Sequence, residues 1–453
     1  MKKMVGKIVS LLLVLALGLS LAGCGNEGGD KTKDNNQKPG ENVSTKGGEG
    51  STWEEVLANM PDELRGTKIT VMNWNPISEY PGGATAIKEF MDLTGIEVEW
   101  QTESFETYLS KLASMVASGT VPDVVRMRSP LVSNYISMQP ISVTGFDFNN
   151  DAWDQWVMDS YSVDGNVYGV NLSNTHLGTP GMLLYNKALI TKYDLEDPYI
   201  LWKNGQWTYD KFVEIMREFK AETNADYVCS YFDYSEFSAM FGVPGPVMFD
   251  GNQYVSMLDD SNFVNVTQKI ADLKNTDYLL GKYKSEEFNS GKILFWSGSA
   301  IYARRQNAYF ENLKSTGSLY AVPYPTIEGQ EKEYVLFEEV EAYGIPKGAD
   351  NAAAVPYFLR YFLDRTNYDM QSFFSSSQAL EVYDYCMGIE NKLWTTLYGR
   401  EYGFYDSTTE EDTFYKELQA ATSAQVLSVL DSNAALIEQR IKRYNEQLAA
   451  LRE

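Results

Sequence analysis

A chain of 453 residues carrying 62 acidic against 38 basic side chains has a formal net charge of −24 at pH 7. Such a surface repels phosphate backbones and anionic headgroups, which argues against a nucleic-acid partner and against lying flat on a membrane. Three cysteines are too few for a disulfide scaffold, and with one histidine they disfavour a Cys/His zinc site.

Lys2, Lys3 and Lys7 precede an apolar stretch of 15 residues, Ile8–Ala22, which ends in Ala22-Gly23-Cys24. A membrane-crossing helix needs about 20 residues, whereas a secretory leader needs roughly 7–15 ending in small residues. A signal peptide is therefore expected over 1–23, with a soluble body outside the cytoplasm. Residues 25–50 hold Gly, Asn, Lys, Asp and Glu with almost nothing apolar, and read as a hydrated tether. Cys229 and Cys386 lie far apart; a disulfide between them in an exported chain is the alternative to two buried apolar thiols, the expected arrangement.

Folding is expected to begin near Trp53, where Trp53, Val56, Leu57 and Met60 suggest a short docked helix before Pro61. KITVMNW, 68–74, reads as a buried strand. A helix with Ile87, Phe90 and Met91 on one face follows, capped at Gly95. IEVEW then alternates Ile96, Val98 and Trp100, and the next helix carries Phe105, Leu109, Leu112 and Val116 before Gly119. Val124-Val125 forms a further short strand. This alternation predicts an α/β fold with a parallel sheet, in which ligands gather beyond the carboxyl ends of the strands. Those ends are Asn73-Trp74-Asn75 and Arg126-Met127-Arg128-Ser129.

VDGNVYGV, 163–170, reads as a hairpin turning at Asp164-Gly165. WTYDKFVEIMREF places Phe212, Ile215, Met216 and Phe219 on one helical face behind an N-cap at Thr208. Near the C-terminus Leu430, Ala434, Ile437, Ile441, Tyr444, Leu448 and Leu451 recur at steps of four and three. That seam fits packing on its own domain better than a coiled-coil dimer face.

Several segments together resemble the extracellular solute-binding proteins of bacterial ABC importers, of the sugar-binding type. LAGC, 21–24, resembles a lipobox, and DLTGIEVEW followed by YLSKLASMVASGTVPDVV resembles the first-lobe pattern of that family. VYGVNLS with MLLYNKALITKYDLEDP, NGQWTYDKFVE, FNSGKILFWSG, LYAVPYPTIEG and YGIPKGADNAAAVPYFLRYFLD follow in the family's order. The resemblance implies a two-lobed periplasmic-binding-protein-like fold, with α/β lobes joined by a two- or three-segment hinge. It places a first lobe at 51–172 and 318–365 and a second at 173–317 and 366–453, crossing near 171–177, 318–325 and in the mid-360s. It further implies lipidation of Cys24 as the mature N-terminus, at the extracellular face of the cytoplasmic membrane. A carbohydrate ligand, ABC permease transmembrane subunits as partners, a monomeric state and no cofactor complete the expectation.

A sugar offers flat C–H faces and a ring of hydroxyls, so its site needs aromatic faces and fixed polar side chains. The candidates are Asn73, Trp74 and Asn75 after the first strand, and Arg126, Arg128 and Ser129 after the third. Asn171, Asn174 and His176 fall in the expected first crossing, and Trp296 and Ser297 follow the strand KILF. Glu339 and Tyr343, in VLFEEVEAYG, complete the set. Two carboxylates about 5–9 Å apart can run glycoside hydrolysis. Adjacent Glu338 and Glu339 point to opposite faces of a strand, however, and only Glu339 and Glu341 share one. DFNND, 147–151, begins like a calcium loop but has Ala152 in place of the turn Gly and Met158 in place of the closing Glu. A secreted carbohydrate-active enzyme and a surface sensor or adhesin remain the alternatives to solute capture.

Overall fold

The computed structural model describes residues 52–104, 107–127, 135–173, 180–230, 240–243, 245–250, 252–274, 279–280, 284–305, 309–330, 332–337, 340–394 and 413–452. Helix α1 (Trp53–Ala58) opens it, with Thr52 and Glu55 forming a reciprocal capping box and Val56 buried. Strand β1 (Lys68–Asn73) runs to α2 (Gly83–Thr94), which ends at Gly95 with φ +72°, a conformation that favours glycine. Strand β2 (Glu97–Thr102), helix α3 (Tyr108–Ser118) and strand β3 (Val124–Met127) follow.

The third helix is rotated from expectation. Leu109 is 51% exposed, whereas Tyr108 is buried and donates its hydroxyl to the carbonyls of Met72 at 2.8 Å and Arg126 at 3.0 Å. Leu112 sits one turn from either residue, so spacing alone does not choose between them. A buried ring that can also satisfy two strand-end carbonyls takes the inward position.

Strands β1, β2 and β3 are mutually parallel, as the alternation predicts. Strand β4 (Met138–Gln139) and the hairpin of β5 (Ser162–Val163) and β6 (Asn166–Val167) follow, the hairpin turning through Asp164 and Gly165 at φ +50° and +79°. The chain then enters a second sheet at β7 (Gly181–Asn186) and continues through α4 (Tyr209–Thr223) to β8 (Cys229–Ser230). Thr208 caps α4, and Phe212, Ile215, Met216 and Phe219 are all buried, as the 3.6-residue spacing predicts. A second hairpin, β9 (Val247–Phe249) and β10 (Tyr254–Ser256), precedes α5 (Ser261–Lys274), β11 (Leu279–Leu280), β12 (Phe295–Ser299) and β13 (Leu319–Val322).

Strand β14 (Tyr334–Phe337) leads to β15 (Ala342–Pro346), which returns antiparallel to β3 and completes the first sheet in the order β2-β1-β3-β15-β4. The second sheet has the order β11-β8-β12-β7-β13, with β7 antiparallel to β12 and β13. Both sheets are therefore mixed: the strand that arrives from the other lobe runs against the strands of the lobe it joins. Leu319 and Ala321 are buried on β13 against β7, so the stretch expected to cross at 318–325 begins inside the second sheet. The return to the first sheet lies between Phe337 and Ala342.

Helix α6 (Val355–Arg365) packs on α1 and α2, and beyond it Phe374 bridges Arg304 of the second lobe. Helix α7 (Ser377–Gly388) then lies along β13, the edge of the second sheet, and Gln378 bonds both main-chain groups of Ala321 at 2.9 and 2.5 Å. Strand β16 (Asn391–Trp394) pairs with β14, and α8 (Val426–Arg452) closes the chain. The seam on α8 buries Leu430, Ile437, Ile441, Tyr444 and Leu448 against its own lobe, where α5, β10 and the helix Thr413–Ala420 receive it. Cys229 and Cys386 are separate buried thiols. No helix among the described residues is long and apolar enough to cross a membrane.

Candidate functional site

The carboxyl ends of β1 and β3 and the start of β15 converge on one polar and aromatic cluster. At the opposite, amino end of β3, the Asp123 carboxylate accepts the main-chain N–H of Thr70 at 2.8 Å and of Asn351 at 2.7 Å. Burial raises the Asp123 pKa against the pull of those hydrogen bonds. This contact ties β1 to β3, whose parallel pairing brings their carboxyl ends side by side.

Arg126 is 7% exposed and forms an ion pair with Glu341, Nη2 to Oε1 at 2.5 Å. Its Nη1 donates to the Tyr80 hydroxyl at 3.2 Å, and its guanidinium carbon lies 4.5 Å from the centroid of the Trp74 ring. Burial alone would lower the Arg126 pKa, but the Glu341 charge, with Tyr80 and Tyr343 beside it, holds it well above the usual value. The guanidinium is thus a permanent cation with a committed partner. Trp74 is half-buried, with the Tyr108 ring edge-on at 5.1 Å.

Asn73 is buried and donates its side-chain amide to the Tyr80 hydroxyl at 2.9 Å, while its side-chain Oδ1 accepts the Asn75 N–H at 2.9 Å. Asn75 in turn accepts the Trp100 indole N–H on its main-chain oxygen at 3.1 Å. The hydroxyls of Tyr80 and Tyr343 are 3.4 Å apart, and Tyr343 exchanges two main-chain hydrogen bonds with Val170. Burial, reinforced by Tyr80, raises the Tyr343 pKa far above the ordinary phenol value, so it stays neutral. Asn171 donates to the Glu341 carbonyl at 3.0 Å. Asn73, Trp74, Asn75, Arg126, Asn171 and Tyr343 therefore form one connected group, although the chain visits the second lobe between Asn171 and Tyr343.

Trp296 and Ser297 lie elsewhere. Trp296 is 0% exposed and packs against Phe310 at 4.9 Å, Tyr302 at 5.6 Å and Phe288 at 5.9 Å. Ser297 points to the Tyr324 hydroxyl at 2.9 Å, also buried. The reason is that β12 is central in its sheet and covered on both faces, so neither alternating position reaches the strand end. Arg128, Ser129, Asn174, His176, Glu338, Glu339 and Cys24 lie outside the described residues.

Tyr80 and Tyr108 join the cluster without being legible in the sequence. Tyr80 stands in an irregular turn with no periodic signal, and the only hint for Tyr108 was the i, i+4 step to Leu112. Glu341, weighed as a carboxylate, emerges as the counter-charge of Arg126, an arrangement that orients side chains and leaves no carboxylate poised for proton transfer at that position.

Two α/β lobes, each built on a mixed five-stranded sheet and joined by crossings of the chain, carry a polar-aromatic cluster where strand ends meet crossing segments. Residues 85–374, more than half of the chain, match the family described as bacterial extracellular solute-binding protein, and the chain belongs to that family. Among solved structures it is similar to the galacto-N-biose-/lacto-N-biose I-binding protein of the ABC transporter from Bifidobacterium longum, in complex with lacto-N-biose. That likeness has a TM-score of 0.57 at 14% identity, over 84% of this chain and 99% of that one. The sugar-binding protein MalE from Xanthomonas citri gives 0.57 at 14% identity, over 85% and 98%. An ABC substrate-binding protein from Listeria monocytogenes in complex with cycloalternan gives 0.53 at 14% identity, again over 85% and 98%. At such identities the likeness establishes the fold. No curated protein sequence matches.

Proposed function

We propose that this protein captures a carbohydrate, an oligosaccharide, between its lobes and delivers it to the permease of an ABC importer. In this reading Cys24 carries the lipid that holds it at the extracellular face of the cytoplasmic membrane, 24–50 is the leash, and the folded body acts as a monomer. Membership of the solute-binding family and the sugar ligands named for similar structures support the assignment. The observation that carries it is the arrangement around Trp74: a half-buried indole held by Arg126 and Tyr108, with Asn73, Asn75, Tyr80 and Asn171 close by. An aromatic face fixed among hydrogen-bonding groups is the surface that a sugar ring requires.

A thermal-shift screen of mono- and oligosaccharides, followed by calorimetry on the hits, tests the reading, because a tight ligand stabilises the folded state by mass action. Saturable heat near one ligand per chain, with the glycan recovered intact, is the expected result. Steady product formation would move the protein to the enzymes. Binding confined to peptides or other non-carbohydrate solutes would overturn the sugar assignment while leaving capture in place.

A further inference from the structure

The last turn of α8 reaches beyond its own lobe. The β5–β6 hairpin belongs to the first lobe: β6 packs on the helical turn Ile141–Thr144, and just beyond it Val170 exchanges two main-chain hydrogen bonds with Tyr343 of β15, at 3.0 and 2.8 Å. At the hairpin tip Asp164 adopts φ +50°, a left-handed conformation uncommon for a residue with a side chain. Arg452, at the end of α8, meets the carboxylate of Asp164 through Nε and again through Nη2 at 3.1 Å.

The same Nη2 donates to the main-chain oxygen of Asn252 at 2.7 Å and to its side-chain oxygen at 2.8 Å. Asn252 lies in the turn of the β9–β10 hairpin, which belongs to the second lobe. Two turns earlier on α8, Asn445 bonds both main-chain groups of Tyr254 at 2.8 and 3.0 Å, and the Tyr444 ring stands 5.6 Å from the Tyr254 ring. One helix end therefore grips its own lobe's hairpin along two turns and extends a single guanidinium to the tip of the other lobe's hairpin.

We propose that Arg452 and Asp164 form a clasp between the lobes, released when the lobes separate, which sets the ratio of closed to open molecules without touching the ligand. The planar fork of arginine suits the task, since it engages a carboxylate and a neighbouring carbonyl at once. Side-chain exposures of 34% and 39% keep the pair accessible to water and hence readily reversible. The strength expected for such a pair corresponds to a population shift of up to about fivefold. The inference rests on the two-lobed fold and not on the nature of the solute.

Single-molecule energy transfer tests it in the full chain. Dyes go on K88C in α2 and E286C in the second lobe, both exposed positions, with C24S removing the third native cysteine and Cys229 and Cys386 protected by burial. R452A and D164N are each expected to raise the open fraction and the opening rate by up to about fivefold, with R452K between them and the parent. D164N leaves α8 untouched, so it keeps the test valid if R452A frays the helix. Unchanged opening in both variants, with far-UV circular dichroism intact, overturns the clasp. A change in R452A alone also overturns it, because the effect would then belong to the helix end.

Discussion

Arg126 on β3 and Glu341, the residue before β15, meet at 2.5 Å, and the chain lays down these neighbouring strands before and after its excursion through the second lobe. The first lobe therefore cannot complete its own charge pairing until the other lobe's chain has been traversed. With side-chain exposures of 8% and 18%, the pair is held largely out of water.

Breaking one side of such a pair strands the other charge, which costs about 3–5 kcal/mol, whereas removing both is far milder. R126M and E341M are each expected to lower urea-unfolding stability by that order, and the double variant by clearly less than their sum. Additive losses would show that the two side chains act independently.

Trp74 and Trp296 should separate binding from stability. W74A is expected to weaken the affinity for a glycan ligand at least about tenfold, since a stacking aromatic anchor is lost. W296A, which empties a fully buried site among Phe288, Tyr302 and Phe310, should cost about 3–5 kcal/mol of stability. Calorimetry at a temperature where W296A remains folded should find its affinity near that of the parent. A reversed pattern would place the sugar face in the second lobe.

A pH effect should arise from Lys314, on the short helix Glu311–Ser315. Burial lowers its pKa to about 8 from an ordinary 10.5, with Glu311 pulling in the other direction. Between those values the unfolded chain binds more protons than the folded one, so this lysine's contribution makes stability rise with pH from about 8 to 10.5. Comparing unfolding midpoints of the parent and K314M over that window isolates the term. The variant should be the more stable at pH 7 and show a flatter profile, and parallel profiles would remove the assignment.

Elements that bury one face in periodic fashion were legible in the sequence. The stripe Phe212, Ile215, Met216, Phe219 on α4 and the Gly95 and Gly119 stops emerged where the spacing placed them. The place of Trp74 and Arg126 at neighbouring strand ends was legible for a topological reason, since parallel strands bring their carboxyl ends together. Tyr80 was not, because a turn residue that reaches back to Asn73 and Arg126 has no neighbour in sequence to announce it. Trp296 misled for the opposite reason. A strand buried on both faces and a strand opening onto a ligand look alike until the helices that cover it are known.

The Gln378 amide on β13 has a consequence for how the molecule tolerates crowding. A sheet margin with unused main-chain groups invites pairing with a second molecule. At Ala321 both groups are already occupied by a side chain that imitates an adjoining strand, with α7 lying across the approach. At that point a stranger's backbone finds no vacancy, so this margin of the second sheet offers no template to another copy's strand.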